Sequence, residues 1–373
     1  MRIASFYHSL VSDWNHGNAH FLRGVVSELV ERGHDVRVYE PRDGWSRTSL
    51  IEQHGRAPID DFRRRFPGLR SVLYDAKTFR PERAIAEADL VLVHEWNDRE
   101  LVRALGLLRR RSGRFRLLFH DTHHRSATAP RSMAQYDLRH YDGVLAYGRI
   151  IRDIYLERGW IERAWTWHEA ADVRVFRPVI GCERRGDVVW IGNWGDGERT
   201  AELKRFLLEP VRRLGLDGSV FGVRYPVSAR RSVERAGLAY RGWIANALVP
   251  RVFAEHGVTV HVPRRPYVRA LPGIPTIRPF EALASGIPLV SAPWDDAEHL
   301  FTPGKDYLVA ADSDEVAHHL ETLLASPARA SRLVQHGLRT IRARHTCAHR
   351  VDELMAVAAE LGVETTSAGA AEA

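Results

Sequence analysis

The chain has 373 residues, 45% hydrophobic and 27% charged, a composition of folded globular proteins and a length that points to two domains. Lys and Arg number 54 against 47 Asp and Glu, a net charge of +7. The aromatics are scattered rather than interleaved with a basic stripe, which argues against a nucleic-acid module. Two cysteines, Cys182 and Cys347, exclude a disulfide framework beyond one bridge and a cysteine metal site, and fit a reducing, cytoplasmic setting. The start, MRIASFYHSLVSDW, reads as a strand and a polar loop rather than a signal peptide. No apolar run approaches the roughly 18 residues that span a bilayer, which leaves peripheral membrane contact open. Only Lys77, Lys204 and Lys305 are lysines, and arginine is the better bidentate partner for phosphate.

In chain order, Arg2 to Phe6 is a short apolar strand. A polar loop with Gly17 follows, then an amphipathic helix over 19–31, a cap at Gly33 and a strand over 36–39. This is a βαβ unit of parallel-sheet type. Residues 43–70 read as charged and loop-like with helical pieces. Strands follow at 90–94, 116–120 and 144–147, the last before a helix ending near Gly159. The stretch 174–185 is rich in proline, glycine and charge and reads as a linker. The pattern then restarts, with a strand at 187–191 ending in Gly192, a helix at 199–214, a strand at 219–222, a helix at 246–256 and a strand at 258–262. Helices at 313–325 and 328–344 come later. The expected architecture is α/β: two Rossmann-like, doubly wound domains facing across a cleft, over 1–172 and 173–345. A C-terminal helix over 346–363 is expected to pack back on the first domain, and 364–373 reads as a disordered tail. Ligands of such folds bind where strand C-termini open into the cleft.

The segment Thr276 to Pro293, TIRPFEALASGIPLVSAP, is the densest in signals. Pro279 suits the first helical position, Gly286 the left-handed position past the helix end, and 287–290 a strand. Glu281 is then expected in the first turn, where the dipole favours a carboxylate. The same terminus offers free N–H groups to a phosphate. An anion site beside a hydroxyl acceptor is what a nucleotide diphosphate sugar requires.

RPFEALASGIPLVSAP, with PGKDYLVAADSDEVAHHLETLL downstream, resembles the donor domain of glycosyltransferases of the GT-B fold, and most nearly their group 1 and CgeB-like, spore-maturation branch. The resemblance extends along the chain through NHGNAHFLRGVVSELVERGHDVRVYEP, DLVLVHEWN, LLFHDTHH, HEAADVRVFRP and WIGNW. It implies transfer of a sugar, from a UDP-sugar before other nucleotides, to an acceptor hydroxyl of a carbohydrate, small molecule or protein. The donor would sit mainly on the second domain and the acceptor on the first, with retention of configuration and no metal or other cofactor. Many retaining members carry two glutamates flanking seven residues. Here the second is Glu281, but the position of the first, which contacts the donor sugar in the family, is Gly273.

Glu281 is the expected acceptor for ribose hydroxyls, set against a dipole role alone. Arg278 is a candidate diphosphate clamp, or else a surface arginine. Thr276 offers a hydroxyl or a helix cap. Gly192 and Asn193 follow a strand where backbone can approach a ligand, or form an ordinary tight turn. Arg224, Arg264 and Arg265 stand at strand ends, one of the three expected on phosphate, and Tyr225 could stack a base. Gly17 and Asn18 precede a helix whose amides could meet the diphosphate. His120 matches a family histidine near the transferred sugar, and Asp121 could orient it or act as a base. The cluster His94, Glu95, His120, Asp121, His123 and His124 reads alternatively as polar interface loops, and last as a metal site. An epimerase of the same architecture, or an inactive sugar or nucleotide binder, are the competing functions.

Overall fold

The computed structural model describes residues 1–365; the tail expected at 364–373 falls outside the described residues from 366 on. Two compact units divide the chain. One holds Met1–Glu169 and the stretch from Cys347 onward, the other Ala170–Thr346.

The first unit is built on seven strands: β1 (Arg2–Phe6), β2 (Asp35–Pro41), β3 (Ser71–Tyr74), β4 (Leu90–His94), β5 (Arg116–Asp121), β6 (Gly143–Ala146) and β7 (Ala164–Thr166). They lie in the order β3-β2-β1-β4-β5-β6-β7, every neighbouring pair parallel. All of β4 is buried, as expected where helices cover both faces of a parallel sheet. The helix Ala19–Glu31 lies against the C-terminal helix Cys347–Glu360. The indole of Trp167 donates to the Arg350 carbonyl at 2.7 Å, and Arg32 reaches Asp352 at 2.6 Å.

The second unit carries β8 (Gly186–Ile191), β9 (Gly218–Phe221), β10 (Leu238–Gly242), β11 (His256–His261), β12 (Leu289–Ser291) and β13 (Leu308–Val309). Their order is β10-β9-β8-β11-β12-β13, again all parallel. Each sheet starts in its middle, grows outward on one side and then returns to the other. The chain direction therefore switches between β1 and β4 in one unit and between β8 and β11 in the other, the place where such sheets bind ligands. Val188, Val258, Val260 and Val290 are fully buried in the core of the second unit, packed with Trp190 and Leu320.

Several local expectations change. Residues 43–70 contain two defined helices, Trp45–His54 and Ala57–Arg65. The helix expected at 246–256 is a 3-10 turn plus Val249–Ala254, and His256 opens β11 instead. The strand expected at 287–290 is β12, shifted to Leu289–Ser291 because Ile287 and Pro288 complete the turn after Gly286. A π-turn over Lys204–Leu208 interrupts the helical stretch 200–214.

Candidate functional site

The helix Ile277–Ser285 starts two residues earlier than the position of Pro279 suggests. Proline is tolerated there because first-turn N–H groups have no helical acceptor to lose. The shift moves Glu281 into the second turn, so the dipole argument for it fails; no acid stands in the first turn. What holds Glu281 is Arg278, one turn before it, in a close ion pair. Glu281 is fully buried and the Arg278 side chain is 14% exposed. The two residues expected to bind separate parts of a ligand are thus one unit. Gly286 takes the left-handed conformation, φ 74°, as its place after the helix requires. Thr276 has φ 64° and ψ 178°, a region nearly confined to glycine, and its side chain makes no capping bond. Capping does not explain the threonine.

The loop after β8 wraps an arginine that the sequence reading passed over. Arg199 donates to the Asn193 carbonyl at 2.8 Å, to Asn193 Oδ1 at 2.8 Å and to the Val262 carbonyl at 3.0 Å. Its guanidinium lies 5.0 Å from the centre of the Trp190 ring. The arginine is packed so tightly under the loop that a Cβ at Gly195 (φ 92°) would come within 2.6 Å of its chain. No carboxylate pairs with it among the described residues, and its buried Nε–H finds no acceptor. Burial, reinforced by the charges of Arg264 and Arg278, lowers its pKa to about 9. A guanidinium seldom gives up its proton, so the lowering describes a cation held at a cost that an anion would offset. The available signal was its place at the end of a glycine-rich loop following a strand, GNWGDGER.

Arg264 pairs with Glu198 at 3.0 Å, and Arg265 reaches Glu202 at 2.9 Å. Arg224, at φ 62°, pairs with Asp196 at 3.3 Å on the exposed side of the loop. The structure therefore gathers Arg199, Arg264 and Arg278 into one electrostatic group and leaves Arg224 at the rim. Tyr225 is buried; its hydroxyl donates to the Gly192 carbonyl at 2.8 Å and accepts from the Trp190 indole at 2.9 Å. It braces the loop and is not placed to stack a base. Gly222 permits that close packing, since a Cβ there would lie 2.0 Å from the Gly192 carbonyl oxygen.

Gly273 (φ 89°) donates its N–H to the Asp295 carbonyl at 2.7 Å. The space above it is occupied: a Cβ at 273 would meet Glu298 Cγ at 2.5 Å and Oε1 at 2.8 Å. A carboxylate from another part of the chain stands where a side chain at 273 would point. Sequence reasoning missed it because Glu298 is 25 positions downstream and follows no motif.

In the first unit, buried histidines collect at the strand ends around the switch between β1 and β4. His94 and His120 are register partners on β4 and β5. Their ring centres are 5.3 Å apart, and His8 lies 5.7 Å from His94 and 3.9 Å from His16. Burial lowers His8 and His120 to about 3 and holds His16 and His94 well below the ordinary histidine value. Neither nitrogen of His120 nor of His8 has a partner among the described residues, while His94 Nε2 meets Thr122 Oγ1 at 3.0 Å. His8 was missed because it stands alone two residues past a strand. Among the described residues no group of three or more His, Cys, Asp or Glu side chains is arranged to hold a metal ion.

Asp121 does not orient His120. Adjacent strand residues point to opposite faces, and the Asp121 oxygens accept instead from Tyr155 Oη and from the His123 N–H, each at 3.0 Å. Glu95 is fully buried beside it, tied to Arg125, with its carbonyl accepting from the Tyr136 hydroxyl at 2.6 Å. Burial, with Asp121 close by, raises Glu95 to about 8, and burial raises Asp121 to about 6. Gly17 is exposed and Asn18 half-buried just ahead of the Ala19–Glu31 helix.

Residues 199–356 match the family model described as glycosyl transferase-like. No curated protein sequence matches the chain significantly. Among solved structures, sucrose-phosphate synthase from Thermosynechococcus elongatus superposes with a TM-score of 0.66 at 14% identity, over 97% of this chain and 99% of its own. HepE from Anabaena, in complex with UDP-glucose, superposes at 0.65 and 13% identity, over 96% and 100%. An alpha-glucosyltransferase in complex with UDP and DNA does so at 0.70 and 11% identity, over 96% and 99%. No described helix is long and apolar enough to cross a membrane. The two parallel-sheet units have the GT-B fold, and the second carries most of a segment similar to the glycosyl transferase-like family.

Proposed function

We propose that the chain transfers a sugar from a UDP-sugar to an acceptor hydroxyl, with retention of configuration and without a metal ion. The observation that carries this is the group of three arginines, Arg199, Arg264 and Arg278, at the β8–β11 switch. Their charge is only partly offset by Glu198 and Glu281. Departure of a nucleoside diphosphate develops negative charge, and preorganised guanidinium and N–H donors stabilise it without reorganising. Fixed cations of this kind supply the compensation that a divalent ion supplies elsewhere. The UDP and UDP-glucose held by the similar structures support the choice of nucleotide. The motifs shared with the CgeB-like branch support that placement within the superfamily.

Glu281, anchored by Arg278, is assigned to the ribose. Thr276 and the Gly192–Asn193 turn face the phosphates, with Arg224 at the rim. Glu298, in the space above Gly273, is assigned to the donor sugar in place of a residue-273 carboxylate. In the first unit His120, neutral and without a polar partner, is the contact for a sugar or acceptor hydroxyl, and Asp121 holds the loop that follows it. The Gly17–Asn18 amides at a helix start are assigned to phosphate on the first unit's side.

The test is UDP release from UDP-glucose and related UDP-sugars across an acceptor panel, run with and without EDTA. We expect turnover that EDTA leaves unchanged. Arg199→Met should lower kcat about 10²-fold, the scale of losing one transition-state donor. Glu298→Gln should lower turnover while leaving UDP affinity intact. Unchanged UDP affinity in both Arg278→Ala and Glu281→Ala would defeat the donor-site assignment.

A further inference from the structure

A cavity of about 510 Å³ lies on the second unit beside the edge strand β13, lined from the helices Ser313–Ala325 and Pro327–Arg344 and the turn at Gly304. It is not part of the site above: β13 is three strands away from β8 in the sheet order. Lys305, Arg329, Arg332 and Arg339 line it, together with three histidines. Among the described residues no Asp or Glu lines the cavity, and no ion pair engages any of those four cations. Other surface arginines, such as Arg63, Arg65 and Arg139, each have a carboxylate beside them.

The acid closest to hand is committed elsewhere. Asp306 is fully buried and accepts from His336 Nδ1 at 2.5 Å, Thr340 Oγ1 at 2.8 Å and the Thr302 N–H at 2.7 Å. It fixes the His336 ring in the cavity wall and neutralises none of the arginines. Four like charges around one concave space raise a positive potential that low-dielectric walls focus. Three are guanidinium groups, whose fork matches phosphate oxygens two at a time. The volume is that of a small-molecule site.

We infer that this cavity binds a compact anion bearing two or more phosphate groups, at a site separate from the sugar-donor site. The phosphates belong either to a soluble metabolite or to a lipid headgroup, and the recognition chemistry is the same for both.

Calorimetric titration of the full chain with inorganic pyrophosphate tests it, beside co-sedimentation with phosphatidylcholine vesicles with or without phosphatidylglycerol. The cavity arginines are exposed, so Arg332→Glu/Arg339→Glu and the milder Arg332→Gln/Arg339→Gln should fold as the parent does, checked by thermal melting. We expect two pyrophosphate-binding events. One weakens at least tenfold in both cavity variants and persists in Arg278→Ala; the other behaves in the opposite way. Binding to phosphatidylglycerol vesicles that depends on Arg332 and Arg339 assigns the headgroup as the source, and its absence beside pyrophosphate binding assigns a soluble ligand. If both cavity variants bind pyrophosphate and vesicles as the parent does, the inference is overturned. A single event that depends only on Arg278 overturns it too, while leaving the donor-site reading in place.

Discussion

Glu281 shows how little a residue's sequence position says about its energetics. The motif marks it for a ligand, yet the structure gives it a second task, compensating Arg278 in a nearly dry setting. A buried ion pair contributes little net stability, but removing one member strands the other. Glu281→Ala should therefore destabilise the second unit by about 3–5 kcal/mol as well as weaken donor binding. Glu281→Gln, which keeps the shape and one acceptor, should lose less. Urea unfolding of both variants measures the difference. Equal stability in Glu281→Ala and the parent protein would show that Arg278 is satisfied without it. Loss of donor binding must thus be read from Glu281→Gln rather than from the alanine variant.

At the scale of elements, the legible parts were those whose signal is local. Leu90–His94 is a continuous apolar run, and it is a fully buried central strand. Gly286 and Gly33 marked helix ends, and both have positive φ. The unread strands are short and peripheral: β3, β7, β10 and β13 span 4, 3, 5 and 2 residues, and all four lie at sheet edges. Their pairing is supplied by neighbours distant in sequence, which periodicity does not carry. The same holds for the site. Arg278 and Glu281 lie in one motif and were singled out together, whereas Arg199 and Glu298 come from separate loops of the second unit and His8 from a loop of the first. Thr276 is the element-scale anomaly, since a β-branched residue at φ 64° and ψ 178° is strained. Thr276→Gly should relieve that strain and stabilise the second unit by about 1 kcal/mol. Donor turnover should fall if the strained backbone or the hydroxyl is what aims the helix terminus at phosphate. A variant that is more stable and equally active would reduce Thr276 to a structural oddity.

Across the whole molecule, the buried titratable groups of the first unit set a pH dependence with two opposing limbs. His8, His16, His94 and His120 are held neutral by burial, with pKa values below the ordinary 6.5. As pH falls below 6.5 the unfolded chain takes up protons that the folded chain refuses, so stability is lost on the acid side. Glu95, raised by burial from 4.5 to about 8, and Asp121, raised from 3.8 to about 6, act the other way. Between their unfolded and folded values the native state holds the extra proton, so stability falls as pH rises. Below about 6 the four histidines outnumber the two carboxyls, and stability climbs with pH. The unfolded histidines are still giving up protons up to about pH 7; above that Glu95 dominates, and stability declines until about pH 8. The maximum should lie near pH 7, with slopes on the order of 1.4 kcal/mol per pH unit for each uncompensated proton. Urea midpoints measured from pH 5 to 8.5 should trace that shape. Glu95→Gln, neutral at every pH, should flatten the alkaline limb and leave the acid one. His8→Asn should reduce the acid limb and leave the alkaline one. An alkaline limb that survives unchanged in Glu95→Gln would mean that Arg125 keeps Glu95 ionised in the folded chain, and the paired carboxyls would then store no proton at neutral pH.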